Sequence, residues 1–135
     1  MGAWTAPAFG FFFAAALAWA SPALADDAYD QCMESTSTNP EWAGCGEAYM
    51  KRLDDALNAA WEKANASIDV QSRRELRAEQ RAWLKFRDSS CLFWASGAYG
   101  REGQVVHFYG CRAGVIEARI ADLNQVYALM NQDEQ

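Results

Sequence analysis

Four cysteines constrain the fold of this 135-residue chain more than any other feature of its sequence. They are Cys32, Cys45, Cys91 and Cys111, and an even number of cysteines in an exported chain predicts two disulfides. Counting alone leaves three pairings open. We favour Cys32 with Cys45 and Cys91 with Cys111, because each bridge closes a short local loop. Each would stabilise the fold by about 3 kcal/mol.

The first 25 residues predict export to an oxidising compartment. They contain no Asp, Glu, Lys, Arg or His, and residues 9–20 are almost wholly apolar but too few to span a bilayer comfortably. Ala23 and Ala25 place small side chains where signal peptidase accepts them. We predict a signal peptide over residues 1–25, cleavage after Ala25, and a mature domain over residues 26–135 in the periplasm or outside the cell. After this cleavage the mature protein would have no stable membrane anchor. The alternative is that the apolar segment is not cleaved and serves as an anchor.

Charge is distributed unevenly along the mature part. The formal charge of the chain is -6, and residues 1–25 contribute nothing to it. Residues 26–69 contain ten acidic and three basic residues, whereas residues 70–135 contain eight acidic and nine basic residues. A net acidic surface argues against nucleic acid as a partner and favours a cationic one.

Apolar residues recur at steps of three and four in three segments, which predicts three helices. The first uses Asn39 as its N-cap and Pro40 as its first residue, and it ends at about residue 66. The second opens with a capping box of Ser72 and Glu75 and ends at about residue 95. The third covers about residues 111–130.

The connecting segments are short. Residues 26–37 form a lead segment, and residues 96–110 contain four glycines, which predicts a loop tied at its base by the favoured second disulfide. Residues 105–109 could form a short extended piece without a partner strand. Short connections favour antiparallel neighbours, so we expect an all-α domain: a small antiparallel bundle of three main helices stapled by two disulfides.

No residue pattern in the chain indicates catalysis, a metal or a cofactor. Successive cysteines are 13, 46 and 20 residues apart, without the Cys-x-x-Cys pattern that is typical of zinc and haem sites. His107 is the only histidine, and in a glycine-rich segment a solvated or capping role is more common than a catalytic one. A catalytic Cys-His pair would also need a free thiol. We therefore predict a binding protein and not an enzyme.

Arg87 and Asp54 are charged residues on the apolar stripes of two facing helices. Antiparallel packing of these helices brings the two side chains within reach of each other. A functional interpretation is a recognition site. The structural interpretation, which we favour, is a partly buried ion pair that fixes the helix register. Asn58, Gln80 and Arg119 are candidates for the same network.

Two larger groups of side chains also have an ordinary structural explanation. The second predicted helix carries a basic row: Arg73, Arg74, Arg77, Arg81 and Lys85. Glu75 and Glu79 are interleaved with this row, and neighbours three or four residues apart form exposed ion pairs, so we expect a solvated face. Four tryptophans are expected in the core and not on a sugar-binding platform: Trp42, Trp61, Trp83 and Trp94.

Several short motifs follow one another in a specific order. They are Cys32, Thr38 with Glu41-Trp42 and Cys45, Asp54-x-x-Leu57-Asn58-x-x-Trp61, Gln80-Arg81-x-Trp83-x-x-Phe86-Arg87-Asp88-x-x-Cys91, and finally Cys111 and Arg119. This order, over residues 32–127, resembles the LprI-like lysozyme inhibitor domain family, small exported bacterial proteins of which many are catalogued as a domain of unknown function. We expect the motif residues to be mainly structural.

The resemblance implies an exported protein that binds lysozyme or a similar cationic cell-wall hydrolase, without a cofactor, and inhibits it by steric occlusion. Two surfaces are candidates for the contact, the acid-rich residues 26–69 and the segment 96–110. The alternative function is a structural or stress-related envelope interaction protein without lysozyme inhibition.

Overall fold

The computed structural model describes residues 26–132, so the predicted signal peptide and its cleavage site lie outside the described residues. Every regular element within residues 26–132 is helical. The elements are α1 (Asp27–Ser35), α2 (Asn39–Ala66), α3 (Val70–Ser89), α4 (Leu92–Ala95), α5 (Gly100–Glu102), a π-helical segment (Gly103–His107) and α6 (Phe108–Met130). The predicted all-α class is confirmed.

The three long helices α2, α3 and α6 form the predicted up-and-down bundle. Leu76 near the start of α3 lies beside Val126 near the end of α6, while Asp88 near the end of α3 lies beside Arg112 near the start of α6. α3 is therefore antiparallel to α6. None of the helices within residues 26–132 combines the length and the apolar character needed to cross a membrane.

The hydrophobic core lies mainly between α2 and α6. Its buried members from these two helices are Tyr49, Leu53, Leu57, Ala60, Ala64, Ala113, Ile116, Ile120 and Leu123. α3 contributes only one buried residue, Leu76. Because so little of α3 is buried, this helix packs more loosely than the α2–α6 pair and leaves a groove along α2.

Both predicted disulfides are present, and no cysteine within residues 26–132 is free. Cys32 is bonded to Cys45, with their Cα atoms 5.8 Å apart, and Cys91 is bonded to Cys111, with their Cα atoms 5.9 Å apart. The first bridge joins α1 to α2. The second joins the segment after α3 to the first turn of α6.

The lead segment contains a helix, α1, that the spacing of apolar residues does not predict. The carboxylate of Asp26 accepts a hydrogen bond from the backbone N–H of Tyr29 at 2.8 Å and thereby caps α1. The same carboxylate accepts two hydrogen bonds from the guanidinium of Arg52 on α2, at 2.7 and 2.8 Å. The Tyr29 ring stacks on Tyr49 with the ring centroids 4.7 Å apart. α1 is thus held by contacts with α2.

Two predicted helix starts are displaced. The N-cap of α2 is Thr38 and not Asn39, because Thr38 and Glu41 form a capping box. The N-cap of α3 is Asp69, whose carboxylate accepts the backbone N–H groups of residues 71 and 72 at 2.8 and 3.1 Å. The predicted capping box of Ser72 and Glu75 is therefore wrong, and α3 begins at Val70.

The end of the second predicted helix and the loop after it are also wrong. α3 ends at Ser89 because Cys91 adopts a left-handed backbone conformation with φ 67°, and α4 is a separate short helix. From Gly100 onward the chain is helical to Met130, so residues 105–109 are not extended. Gly103 lies in the π-helical segment, and a Cβ there would lie 2.9 Å from the Cβ of Tyr99. Glycine is required at this position because Tyr99 packs closely against it, and not because the chain forms a loop there.

Candidate functional site

A groove between α2 and α3 gathers many of the motif residues. It has a volume of about 380 Å³, and its lining residues are Asp54, Leu57, Asn58, Trp61, Gln80, Leu84 and Arg87. The structure thus brings together two sequence motifs that lie on either side of the turn between α2 and α3. The groove has a polar wall on both helices and an apolar floor of leucine side chains.

Arg87 and Asp54 lie close together, as predicted, with 3.7 Å between Nη1 and Oδ1. The Asp54 side chain is 53% exposed, so this pair is partly solvated and contributes little to stability. Arg87 is nearer to Asp88, at 3.0 Å, and its guanidinium lies 5.8 Å from the centroid of the Trp83 ring. Arg112 approaches the same Asp88 carboxylate at 3.8 Å. Arg112 was missed, although its spacing of seven residues from Arg119 places both on one face of α6.

Arg119 is the buried charged residue of the described chain, with only 5% of its surface exposed. Its Nε donates to the side-chain oxygen of Gln80 at 2.8 Å, and its Nη1 forms an ion pair with Glu79. Its Nη2 is buried and has no hydrogen-bond partner within residues 26–132. Arg119 therefore ties α6 to α3, and it meets the groove only through Gln80.

The basic row is largely solvent-exposed, as predicted, but within residues 26–132 it forms no ion pair with Glu75 or Glu79, so the predicted pairing is wrong. Glu79 pairs with Arg119, and Glu75 accepts a hydrogen bond from Gln71 at 2.9 Å. Arg81, a motif residue, is exposed on the outer face of α3 away from the groove. The physical reason is that the two glutamates are four residues apart and share one flank of α3, which faces α6.

Residues 92–107, here called the aromatic tip, form the second prominent surface. The Trp94 ring contacts the rings of Phe93, Tyr99 and His107, with centroid distances of 5.0, 5.4 and 4.8 Å. His107 is therefore a member of an aromatic cluster, and 38% of its side chain is still exposed to solvent. Leu92, Phe93 and Tyr99 expose 55%, 61% and 55% of their surfaces.

The tryptophans are less buried than predicted. Trp61 and Trp83 are half-buried and pack against the edge of the core. Trp42 lies outside the core cluster, and its indole N–H donates to the carbonyl of Thr36 at 3.3 Å. Trp94 belongs to the aromatic tip. The prediction that all four tryptophans lie in the core is therefore wrong for Trp42 and Trp94.

Two tyrosines at the contact between the first half of α2 and α6 have raised pKa values, each with an identifiable cause. Burial, together with the hydrogen bond that Tyr49 donates to Glu117 at 2.6 Å, raises the pKa of Tyr49 far above its usual range. Burial and the nearby carboxylate of Glu47 raise the pKa of Tyr109.

No group of three or more His, Cys, Asp or Glu side chains in residues 26–132 is arranged to hold a metal ion.

A family model described as "Lysozyme inhibitor LprI" matches residues 31–132 of the chain. No curated protein and no solved structure matches this chain. The matched residues include both disulfides, the groove between α2 and α3, and the aromatic tip.

Proposed function

Because the chain belongs to the LprI family of lysozyme inhibitors, we propose that it is an exported binding protein that inhibits lysozyme or a similar cationic cell-wall hydrolase. The family match over residues 31–132 is the observation that carries this proposal. The two disulfides support export, since such bridges persist in oxidising compartments. We also propose residues 1–25 as a signal peptide cleaved after Ala25, and residues 26–135 as the mature domain. The proposal includes no catalytic residue and no cofactor.

The aromatic tip is the proposed contact surface. Leu92, Phe93 and Tyr99 are large apolar side chains that are more than half exposed, and neighbouring exposed apolar residues mark protein-binding surfaces. Aromatic side chains supply much of the binding energy in protein interfaces. The bridge between Cys91 and Cys111 closes the tip at its base, so little conformational entropy is lost on docking. A rigid tip of this kind would obstruct the substrate cleft of a hydrolase.

Acidic residues at the same end of the bundle support a cationic partner. Glu41 and Glu47 are exposed in the first turns of α2, and Glu47 is close enough to Tyr109 to raise the pKa of that phenol. Tyr109 lies two residues after the end of the aromatic tip. Carboxylates beside an apolar contact surface accelerate encounter with a cationic protein and make that encounter sensitive to salt.

A lysis assay tests the proposal. Mature protein is added to cell-wall substrate with several types of lysozyme, and we expect slower clearing with at least one type. Binding measured in parallel should weaken as salt is added. Binding to a lysozyme without any protection of the substrate would favour the envelope interaction protein. If the protein neither protected the substrate nor bound a lysozyme in a salt-dependent way, the proposed inhibition would be refuted.

A matched pair of double variants tests the contact surface. Leu92→Ser with Phe93→Ser removes apolar side chains that are 55% and 61% exposed, and Leu129→Ser with Met130→Ser removes side chains that are 51% and 57% exposed at the end of α6. We expect the first pair to weaken inhibition at least tenfold, because interface hot spots contribute more than about 1.4 kcal/mol. The second pair should leave inhibition unchanged. Equal effects of the two pairs would exclude the aromatic tip as the contact.

A further inference from the structure

The outer face of α3 carries a straight row of cations. Arg74, Arg77, Arg81 and Lys85, here called the basic stripe, are three or four residues apart and are all exposed. This spacing places them on one side of the helix, in a row about 17 Å long. Leu76, Gln80 and Arg87, which face the core and the groove, lie on the other side of α3, so the basic stripe is directed away from the bundle.

The carboxylates of α3 do not neutralise the basic stripe. Within residues 26–132, no carboxylate lies within ion-pair distance of the stripe, and the guanidinium of Arg74 donates to the amide oxygen of Gln71. Glu79 is paired with Arg119 on α6, and Asp88 lies between the guanidinium groups of Arg87 and Arg112. An acidic protein thus presents a cationic row on one helix.

The acidic residues of α1 lie on the other side of the molecule. α1 packs on the side of α2 that carries Cys45, Tyr49 and Arg52, whereas α3 faces the side that carries Asp54 and Asn58. The thickness of α2, about 10 Å, separates α1 from α3. At 0.1 M salt the screening length is also about 10 Å, so an object in contact with the basic stripe is largely screened from the acids of α1.

We propose that the basic stripe docks the protein reversibly on an anionic phospholipid surface. The row runs along the convex outer surface of a helix, so it suits an extended array of phosphates better than a single small anion. Val70 lies on the same side of α3, four residues before Arg74, and 65% of its surface is exposed. An apolar side chain in line with the cations is stabilised at the boundary between headgroups and acyl chains, whereas a soluble polyanion offers it no apolar environment.

Flotation with lipid vesicles tests the proposal. The mature protein should bind vesicles of equal parts phosphatidylglycerol and phosphatidylcholine, and should not bind vesicles of phosphatidylcholine alone. Each cation near an anionic surface strengthens binding about fivefold, so Arg77→Gln with Arg81→Gln should weaken partitioning about 30-fold. Glutamine keeps the helix propensity of arginine. Lys51→Gln with Lys63→Gln makes the same change of net charge on α2 and should change partitioning less than about twofold.

A second pair of measurements separates lipid from soluble polyanion. Val70→Ser should weaken binding to the anionic vesicles about threefold or more, and should leave binding to soluble polyphosphate unchanged. Absence of binding to the anionic vesicles, or equal losses in the two double variants, would overturn the proposal. An unchanged vesicle affinity of Val70→Ser would overturn the assignment to lipid. Circular dichroism should show unchanged helicity for each variant, since all the substituted side chains are exposed.

Discussion

The substitution Gly46→Ala tests how tightly α2 packs on α6. Gly46 is buried in α2, and a Cβ at this position would lie 2.8 Å or less from three ring carbons of Tyr109. Non-bonded carbon atoms are normally about 3.5–4.0 Å apart. Tyr109 lies in the first turn of α6, which is tied by the adjacent disulfide at Cys111, so the ring has little freedom to withdraw.

Two opposing effects determine the size of the change. Overpacking of a core costs about 1–3 kcal/mol, and the rigid setting of the ring favours the upper end of that range. Alanine stabilises a helix interior by about 1 kcal/mol relative to glycine. We therefore expect Gly46→Ala to lower the free energy of unfolding by about 2 kcal/mol, and to lower the Tm by about 8 °C.

Gly44 provides the matched control two residues away in the same helix. It is exposed, and a Cβ there would have no neighbour within 4 Å. Gly44→Ala should therefore raise the free energy of unfolding by about 1 kcal/mol. Thermal and urea denaturation of the oxidised mature protein, followed by far-ultraviolet circular dichroism, measures both changes. If Gly46→Ala were as stable as Gly44→Ala, the close contact between α2 and Tyr109 would be refuted.

Three further variants probe the contacts that join the helices. Cys91→Ser with Cys111→Ser should lower the free energy of unfolding by about 3 kcal/mol in urea, and an unchanged midpoint would contradict this. Arg119→Ala should cost about 2 kcal/mol, because it removes the buried ties to Glu79 and Gln80, and a cost below about 0.5 kcal/mol would show that these ties are weak. The hydrogen bonds from the Arg52 guanidinium hold the pKa of Asp26 below its usual range. Its contribution to stability is therefore complete above the unfolded pKa of about 3.9 and is lost as the pH falls through the lower folded pKa. Asp26→Asn should lower stability at neutral pH and flatten the acid limb of the stability profile, and a profile parallel to that of the parent protein would refute the pairing.

The sequence predicted the parts of the fold that depend on local or periodic signals. Apolar spacing located α2, α3 and α6, and the short separations within each cysteine pair predicted the two disulfides. α1 escaped because it contains no buried residue and is held by distant partners, the Cys45 sulfur and the Arg52 guanidinium. A stripe of apolar residues is the signal for a helix, and α1 does not carry one.

The glycine-rich segment shows a different limit. Gly97 and Gly100 have φ values of 82° and 75° and do form the predicted turn, but Gly103 is required by the approach of Tyr99 within a helix. One residue type therefore serves two purposes, and only the packing distinguishes them. The helical structure of the aromatic tip could not be predicted for this reason, although the segment 96–110 was predicted as a candidate contact surface.

The basic row of α3 shows how linear order can mislead. Glu75 and Glu79 alternate with arginines along the chain, but at 100° per residue they lie on a different flank from Arg77 and Arg81. A helical projection of the sequence is enough to separate these acidic and basic side chains. The partner of Glu79 on α6 could not have been predicted in this way, because it depends on how the helices pack.

The two proposed surfaces, the basic stripe and the aromatic tip, can be separated by measuring vesicle retention and lysozyme inhibition for the same variants. The basic stripe lies on the outer face of α3, so a molecule docked on lipid through the stripe leaves the aromatic tip free to contact a cationic hydrolase, and the acidic residues of α1, on the opposite side of α2, point away from the lipid. Loss of the stripe should therefore reduce retention on anionic vesicles without reducing inhibition in free solution. Loss of the apolar side chains at Leu92 and Phe93 should reduce inhibition without reducing retention. If either double variant lost both vesicle retention and inhibition, a single surface would serve both activities. The placement of α1 and α3 on opposite sides of α2 would then not separate the two functions.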